Sequence, residues 1–257
     1  MASMPVAQYI AALHATHPAP VPPGTAQICT QAALTMGLVH TLQDFELLRD
    51  ENPELRSPRA LGRPPSKARQ FAGTEDAVCL YVGPPMLESE RPGALVFSAE
   101  VEEVEEEGGV ATPWDSGGLN KRRAQHLSAD QRKALLHART MPAPDYRQAL
   151  AVTLLLRFGG EPARYLRSEA PQGTDPDGVY DGDPASFTYE ARLPSRLTIH
   201  TPELSLVVMQ RDYMDEGAHR LRAWCLKHNV DFEVIDENSQ YRTVRDAVLD
   251  FGLKSIS

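Results

Sequence analysis

No run of eighteen apolar residues occurs in the 257-residue chain, so the sequence offers no membrane span and no membrane partner is expected. Cysteine is scarce. Cys29, Cys79 and Cys225 are the only three, far apart and odd in number. That excludes a disulfide scaffold and any Cys-x-x-Cys metal site, and it favours a reducing, cytoplasmic setting. Positive charge is in deficit: 26 Lys and Arg against 35 Asp and Glu leave a net charge of −9. This argues against general coating of nucleic acid but not against a local basic face. No basic segment followed by an apolar stretch opens the chain, so no secretory signal is expected. Walker, Gly-x-Gly-x-x-Gly, Gly-x-Ser-x-Gly and His-Glu-x-x-His signatures are all missing. His14 and His17 have no partner at metal spacing. Asp175, Asp177, Asp181 and Asp183 lack the fixed spacing and terminal Glu of a calcium loop, so they read as a solvated turn and no metal is expected.

What is present is ordinary for a soluble globular protein: 42% hydrophobic and 24% charged residues, in a chain long enough for a substantial core. The organisation expected is a proline-rich leader over 1–26 and one domain over 27–257. A short helix at 5–16 gives way to Pro18, Pro20, Pro22 and Pro23. Gln27 to Gly37 reads as a helix, Leu38-Val39-His40 as a strand and Asp44 to Arg49 as a helix. The Pro/Arg/Ser-rich stretch 53–73 predicts no core element. Ala77–Val82, Ala94–Ser98, Leu204–Met209 and Asp231–Ile235 read as strands, and Phe187–Leu193 alternates. Helices are expected at about 216–228 and 243–251.

Charge is unevenly spread. Six glutamates between Glu100 and Glu107 read as a solvated helical face. The segment 120–167 holds ten cations and three anions, a net +7 in an acidic chain. Ser128-Ala129-Asp130-Gln131 is a capping box that opens a helix to about Arg139, and a second helix runs from Tyr146 to Phe158. This segment reads as a helical insert. Its cations either neutralise the acidic run at 100–107 or dock a nucleic acid or acidic partner.

Three segments carry the chemistry. They are Leu38-Val39-His40-Thr41 with the later strand Ala77-Val78-Cys79-Leu80-Tyr81-Val82-Gly83-Pro84-Pro85-Met86-Leu87; Ala94 to Val101 running into Thr112-Pro113-Trp114-Asp115; and Tyr189-Glu190-Ala191-Arg192-Leu193-Pro194 before Leu206-Val207-Val208. In this order they resemble the ADP-ribosyltransferases of the DarT type, a toxin family that uses NAD to modify DNA bases. The likeness spans about residues 37–235. It implies an α+β fold, a pair of small packed β-sheets with flanking helices and a helical insert. It further implies that Glu190 is the catalytic glutamate, with Arg69, or else Arg63, as the functional arginine. His40 would hold the adenosine-side ribose with Thr41 beside it, and Tyr81 would line the nicotinamide side. NAD would be the co-substrate, and an antitoxin or regulatory partner is implied.

These residue types suit that chemistry. Breaking the nicotinamide–ribose bond builds positive charge on the ribose, which a neighbouring carboxylate stabilises. Arginine binds phosphates bidentately, and an aromatic face packs on nicotinamide. Each residue also has a plainer reading. His40 serves as a satisfied structural group, Glu190 as the outward member of an alternating strand, Tyr81 as core, and the arginines as solvated loop residues. Tyr180 and Phe187 either stack on a target base or anchor their loop. The NAD reading requires His40, Tyr81 and Glu190 to meet in one cleft. NAD hydrolysis without an acceptor, removal of a 2′-phosphate from RNA, and non-catalytic binding through the basic insert are the rival functions.

Overall fold

Strands with apolar residues at every position need cover on both faces, and the computed structural model supplies it. It describes residues 4–17, 22–42, 53–85, 91–98, 109–120, 123–194, 196–199 and 203–257. The strands are β1 Leu38–Leu42, β2 Glu54–Arg56, β3 Ala77–Val82, β4 Gly93–Phe97, β5 Val110–Thr112, β6 Met141–Pro142, β7 Glu190–Pro194, β8 Arg196–Thr198, β9 Leu204–Gln210 and β10 Asp231–Ile235. The helices are α1 Met4–Thr16, α2 Thr25–Thr35, α3 Lys67–Ala72, α4 Ala129–Arg139, α5 Tyr146–Arg157, α6 Pro162–Leu166, α7 Glu216–Lys227 and α8 Val244–Ser255.

The mixed α+β class expected is observed, but the sheets differ from expectation. Eight strands form one sheet in the order β10-β9-β4-β1-β3-β7-β5-β6, and β2 pairs with β8 in a separate two-stranded ribbon. Alternation sorts the apolar strands onto two cores. Leu38, Leu42, Leu95, Phe97, Val207 and Met209 join the main cluster, while Val39, Ala94, Val96, Leu206 and Val208 face Val244, Ala247 and Val248 of α8. The continuity of the sheet is thinnest at its centre. β1 and β4 pair along five residues, whereas β1 and β3 pair only at Leu38–Val82 and Val39–Tyr81. A seam opens where those two strands part.

Three organisational expectations change. Within the expected leader, residues 4–16 form α1, whose Val6, Tyr9 and Leu13 enter the main core and which packs on α5. The segment 120–167 is helical as expected, with the Ser128–Gln131 capping box formed. It is not peripheral, however: α5 buries Tyr146, Ala149, Leu150 and Leu154 against α1 and α2, and β6 belongs to the main sheet. Residues 53–73, expected to form no core element, contribute β2, whose Leu55 enters the main core, and the short α3, which buries no residue. Ser66 caps α3 by accepting from the Arg69 N–H, and Gly73 closes it at φ 66°. The expected helices at 44–49 and 100–107 lie outside the described residues. All three cysteines are buried and free. No helix among the described residues is long and apolar enough to cross a membrane.

Candidate functional site

Residues directly opposite in neighbouring strands project from the same face. Tyr81 lies opposite Glu190, Glu190 opposite Thr112, and Cys79 opposite Arg192. Tyr81, Cys79, Glu190, Arg192 and Thr112 therefore share one face. Residues 113–120 fold over it, and Trp114, Leu119 and Ala124 pack with Leu136 of α4, Val179 and Phe71 of α3.

That cover removes the plainer reading of Glu190. It is 2% exposed, and the Ser116 N–H donates to its Oε2 at 2.7 Å. A buried carboxylate requires such a donor. Beside it stands Asp115, which accepts from the Gly117 and Gly118 N–H groups at 3.3 and 3.1 Å. Burial and then the Glu190 charge raise the Asp115 carboxyl above its ordinary range, against the pull of Arg123. Burial, followed by Asp115 and Glu190, raises the Tyr81 phenol well above its ordinary value, so it is a hydrogen-bond donor at neutral pH. Burial, then Glu190, likewise raises the Cys79 thiol, while Arg69 and Arg192 both lower it.

Arg123 holds the turn. It is 1% exposed, and its Nη1 donates to the Asp115 carbonyl at 3.0 Å and carboxylate at 3.2 Å. Asp181 and Asp183 lie 3.6 and 3.7 Å away. Gly118 makes room for this guanidinium: a Cβ there would run into Nη1 and fall 2.5 Å from Cζ. Gly118→Ala is expected to cost about 1–3 kcal/mol by overpacking, read as a lower urea midpoint at unchanged slope. An unshifted midpoint would show that Arg123 moves aside freely.

His40 is placed differently. Alternation along β1 turns it away from the face of Val39 and Tyr81, toward the side of Leu38 and Leu42. Its ring meets the seam, where Nδ1 lies 2.9 Å from the Cys79 carbonyl oxygen. A carbonyl only accepts, so Nδ1 carries the proton and Nε2 keeps a lone pair. Thr41, opposite Ala94, shares the Tyr81 side. Tyr81 and Glu190 share a face, but His40 looks onto the opposite one, so the three do not meet in the single cleft expected. Arg69 stands at that seam: its Nη1 donates to the Thr74 and Ala77 carbonyls at 3.0 and 2.9 Å, and its charge acts on His40, Cys79 and Tyr81 alike. Arg63 lies in the turn below, its N–H bonded to the Pro58 carbonyl at 2.8 Å.

Burial lowers the His40 pKa from 6.5; the Cys79 bond opposes this and Arg69 adds to it. Below that unfolded value, the unfolded chain takes up a proton that folded His40 refuses, so stability falls as pH falls below 6.5 and is insensitive to His40 above it. Between about pH 7.5 and about pH 5, wild type is expected to lose more stability than His40→Gln, which retains a donor for the Cys79 carbonyl. Parallel melting curves for the two would refute this.

The sequence pointed to Glu190, Tyr81 and Arg69, but not to Asp115, Ser116, Arg123 or Arg192. Asp115-Ser116-Gly117-Gly118 carries turn residues, yet nothing local announces that this turn closes over β7.

Three arginines of the basic segment find counter-ions in the 175–183 loop. Arg139 grips Asp177 through Nε and Nη2, the shortest contact being 2.7 Å. Arg157 lies 3.9 Å from Asp175, and Arg123 meets Asp181 and Asp183. Asp175 also accepts from the Val179 and Tyr180 N–H groups. Those aspartates, expected to form a solvated turn, instead form an ion-pair rack. The acidic run at 100–107 and Lys121 and Arg122 lie outside the described residues. Tyr180 packs on Phe187 at 6.2 Å, and Phe187 on Phe158 and Tyr165, so these aromatics anchor the loop. His17 is buried, with Nε2 2.8 Å from the Gln172 carbonyl oxygen. No group of three His, Cys, Asp or Glu that could hold a metal ion occurs among the described residues. No protein-family model matches the chain, and no curated protein matches it in sequence.

Proposed function

We propose that this chain cleaves the nicotinamide–ribose bond of NAD and transfers ADP-ribose to a macromolecular acceptor, nucleic acid before protein, as a toxin or defence effector does. The observation that carries the reading is the Glu190 carboxylate, buried on the Tyr81 face and fixed by the Ser116 N–H. A carboxylate held without water beside a ribose stabilises the positive charge that grows as nicotinamide leaves, and it needs no reorganisation to do so. Tyr81 supplies an aromatic face and a phenol donor beside it. Arg69 offers a guanidinium to a phosphate near the seam. Strand alternation puts His40 on the face opposite Glu190, against the single-cleft expectation, so the reading is carried by Glu190, Tyr81 and Arg69 without His40.

A second reading, NAD hydrolysis without an acceptor, is favoured by one observation. Arg123, Arg139 and Arg157 are engaged by the 175–183 loop, which leaves them unavailable to dock an acceptor. Nicotinamide release by the purified protein, with and without DNA, RNA or protein, separates the readings. Release only with an acceptor supports transfer, and release alone supports hydrolysis. No release under any condition rejects both in favour of non-catalytic binding.

A further inference from the structure

One edge of the main sheet is an open strand with an acidic cleft beside it. β10 ends the sheet and pairs with β9 alone. Its N–H and C=O groups that turn away from β9 meet no strand among the described residues, and such an edge is a template for another chain. The two faces of β10 differ. Phe232 packs on the main core together with Leu221 and Cys225 of α7, which backs the strand. Asp231 and Glu233 have the opposite parity and share the side of Ile235, which joins the α8 core. There α8 lies over β9 and β4 and leaves the start of β10 open. Strands β9, β4, β1 and β3 separate this edge from β7 and Glu190.

A cleft of about 210 Å³ occupies the gap between β10 and α8. Leu206, Tyr241 and Phe251 line it with apolar and aromatic surface, and Asp231, Glu233 and Asp250 with carboxylates. Asp250 is engaged, because the Tyr241 hydroxyl donates to it at 2.6 Å and the Lys254 ammonium lies 2.7 Å away. The other two carboxylates are free to meet a cation. Asp231 is exposed and pairs with no described residue, and Glu233 accepts one long bond, from the Ser239 hydroxyl at 3.3 Å. They stand roughly 7 Å apart along the strand. Three carboxylates against one ammonium leave the cleft at −2. Its volume is below the roughly 300–1,000 Å³ of pockets that enclose drug-sized ligands, so it suits one long side chain. An arginine fits both parts of the lining: its stem packs on the apolar wall, and its guanidinium meets aromatic faces and carboxylates.

We propose that β10 is a docking edge for an extended, basic segment of a partner protein, which adds as a strand beside β10 and places an arginine in the cleft at Asp231 and Glu233. Residues of an added strand that lie opposite Asp231 and Glu233 project to the cleft side. Backbone pairing supplies the attachment and the cleft selects the side chain. Charge selects the partner. Edge-to-edge pairing of β10 with a second copy would set Asp231 and Glu233 against their own like charges, and a basic segment reverses that cost. The inference is independent of the chemistry at Glu190.

The test titrates the full chain into a fluorescein-labelled heptapeptide that alternates valine with arginine, read by anisotropy, and follows amide hydrogen exchange over residues 231–235. The arginine peptide is expected to bind, to bind more weakly as salt rises, and to slow exchange along β10. The same peptide with glutamate in place of arginine is expected not to bind. With every backbone amide N-methylated, the arginine peptide keeps its charge, loses its strand donors and is expected to bind about tenfold more weakly. Asp231→Asn combined with Glu233→Gln is expected to weaken the unmethylated arginine peptide about tenfold with circular dichroism unchanged. Asp231→Asn alone, at an exposed position, covers the case in which the double variant does not fold, and it too is expected to bind more weakly. Asp231→Lys combined with Glu233→Lys is expected to exchange preference, taking the glutamate peptide over the arginine one. The inference is overturned if wild type does not bind the arginine peptide, if binding leaves exchange along β10 unchanged, or if the N-methylated or glutamate peptide binds as tightly. It is equally overturned if the folded neutral variants bind the arginine peptide like wild type.

Discussion

Glu190→Gln is expected to lower the rate of nicotinamide release from NAD by about 10²–10³, or roughly 3–4 kcal/mol, while the protein stays folded. The substitution is nearly isosteric. The amide oxygen still accepts from the Ser116 N–H, so the bond that places the side chain survives, and only the charge is lost. With that charge gone, Asp115 loses one of the causes that raise its carboxyl, so the melting temperature is expected to hold or rise. Glu190→Ala is expected to cost the same rate and, in addition, stability, because the buried Ser116 N–H is left without an acceptor. Single-turnover nicotinamide release and a melting curve on each variant are sufficient. A folded Gln variant that works at the wild-type rate would remove Glu190 from the chemistry.

Arg123→Met is expected to be the most destabilising single change on this face, by about 3 kcal/mol, toward the lower end for breaking a buried ion pair because its partners keep some water. Asp115, Asp181 and Asp183 are 18%, 29% and 42% exposed, while Arg123 itself is 1% exposed. In a chain of this size that corresponds to a fall of about 6–12 °C in melting temperature. The loss extends beyond the ion pairs, since the Asp115 carbonyl and the turn over Glu190 are held by the same guanidinium. Arg123→Lys is expected to recover only part, because one ammonium cannot serve a carbonyl and three carboxylates at once. Charge reversal at Arg132 and Lys133 offers the contrast. Lys133 lies over the Phe71 ring at 5.9 Å, and Arg132 donates to the Leu127 carbonyl at 2.9 Å. Reversal there is expected to cost less than loss of Arg123, and equal costs would show that the cations act as one field, not through the turn.

Read alone, the sequence determined the elements whose signals are local. Ala77–Val82 is apolar throughout, Leu204–Met209 is apolar except for Ser205, and both are interior strands of the main sheet. The Ser128–Gln131 capping box opens α4 where it stands, and the apolar spacing of 216–227 makes α7. The alternation of Glu190 and Arg192 with Ala191 and Leu193 on β7 was legible as well. Its meaning was not, since a polar stripe on a strand has the same pattern whether it meets water or a covering turn. Tertiary structure decided that, by laying residues 113–120 over β7 through an Arg123 clamp on carboxylates from the distant 181–183 loop. It also decided that Pro-flanked α1 belongs to the core and that β1 and β3 part at a seam. Finally, it turned His40 onto the face opposite Tyr81 and Glu190. A strand fixes the parity of its own side chains, but the face each parity looks upon is set by pairing and cover contributed by residues far away in the chain.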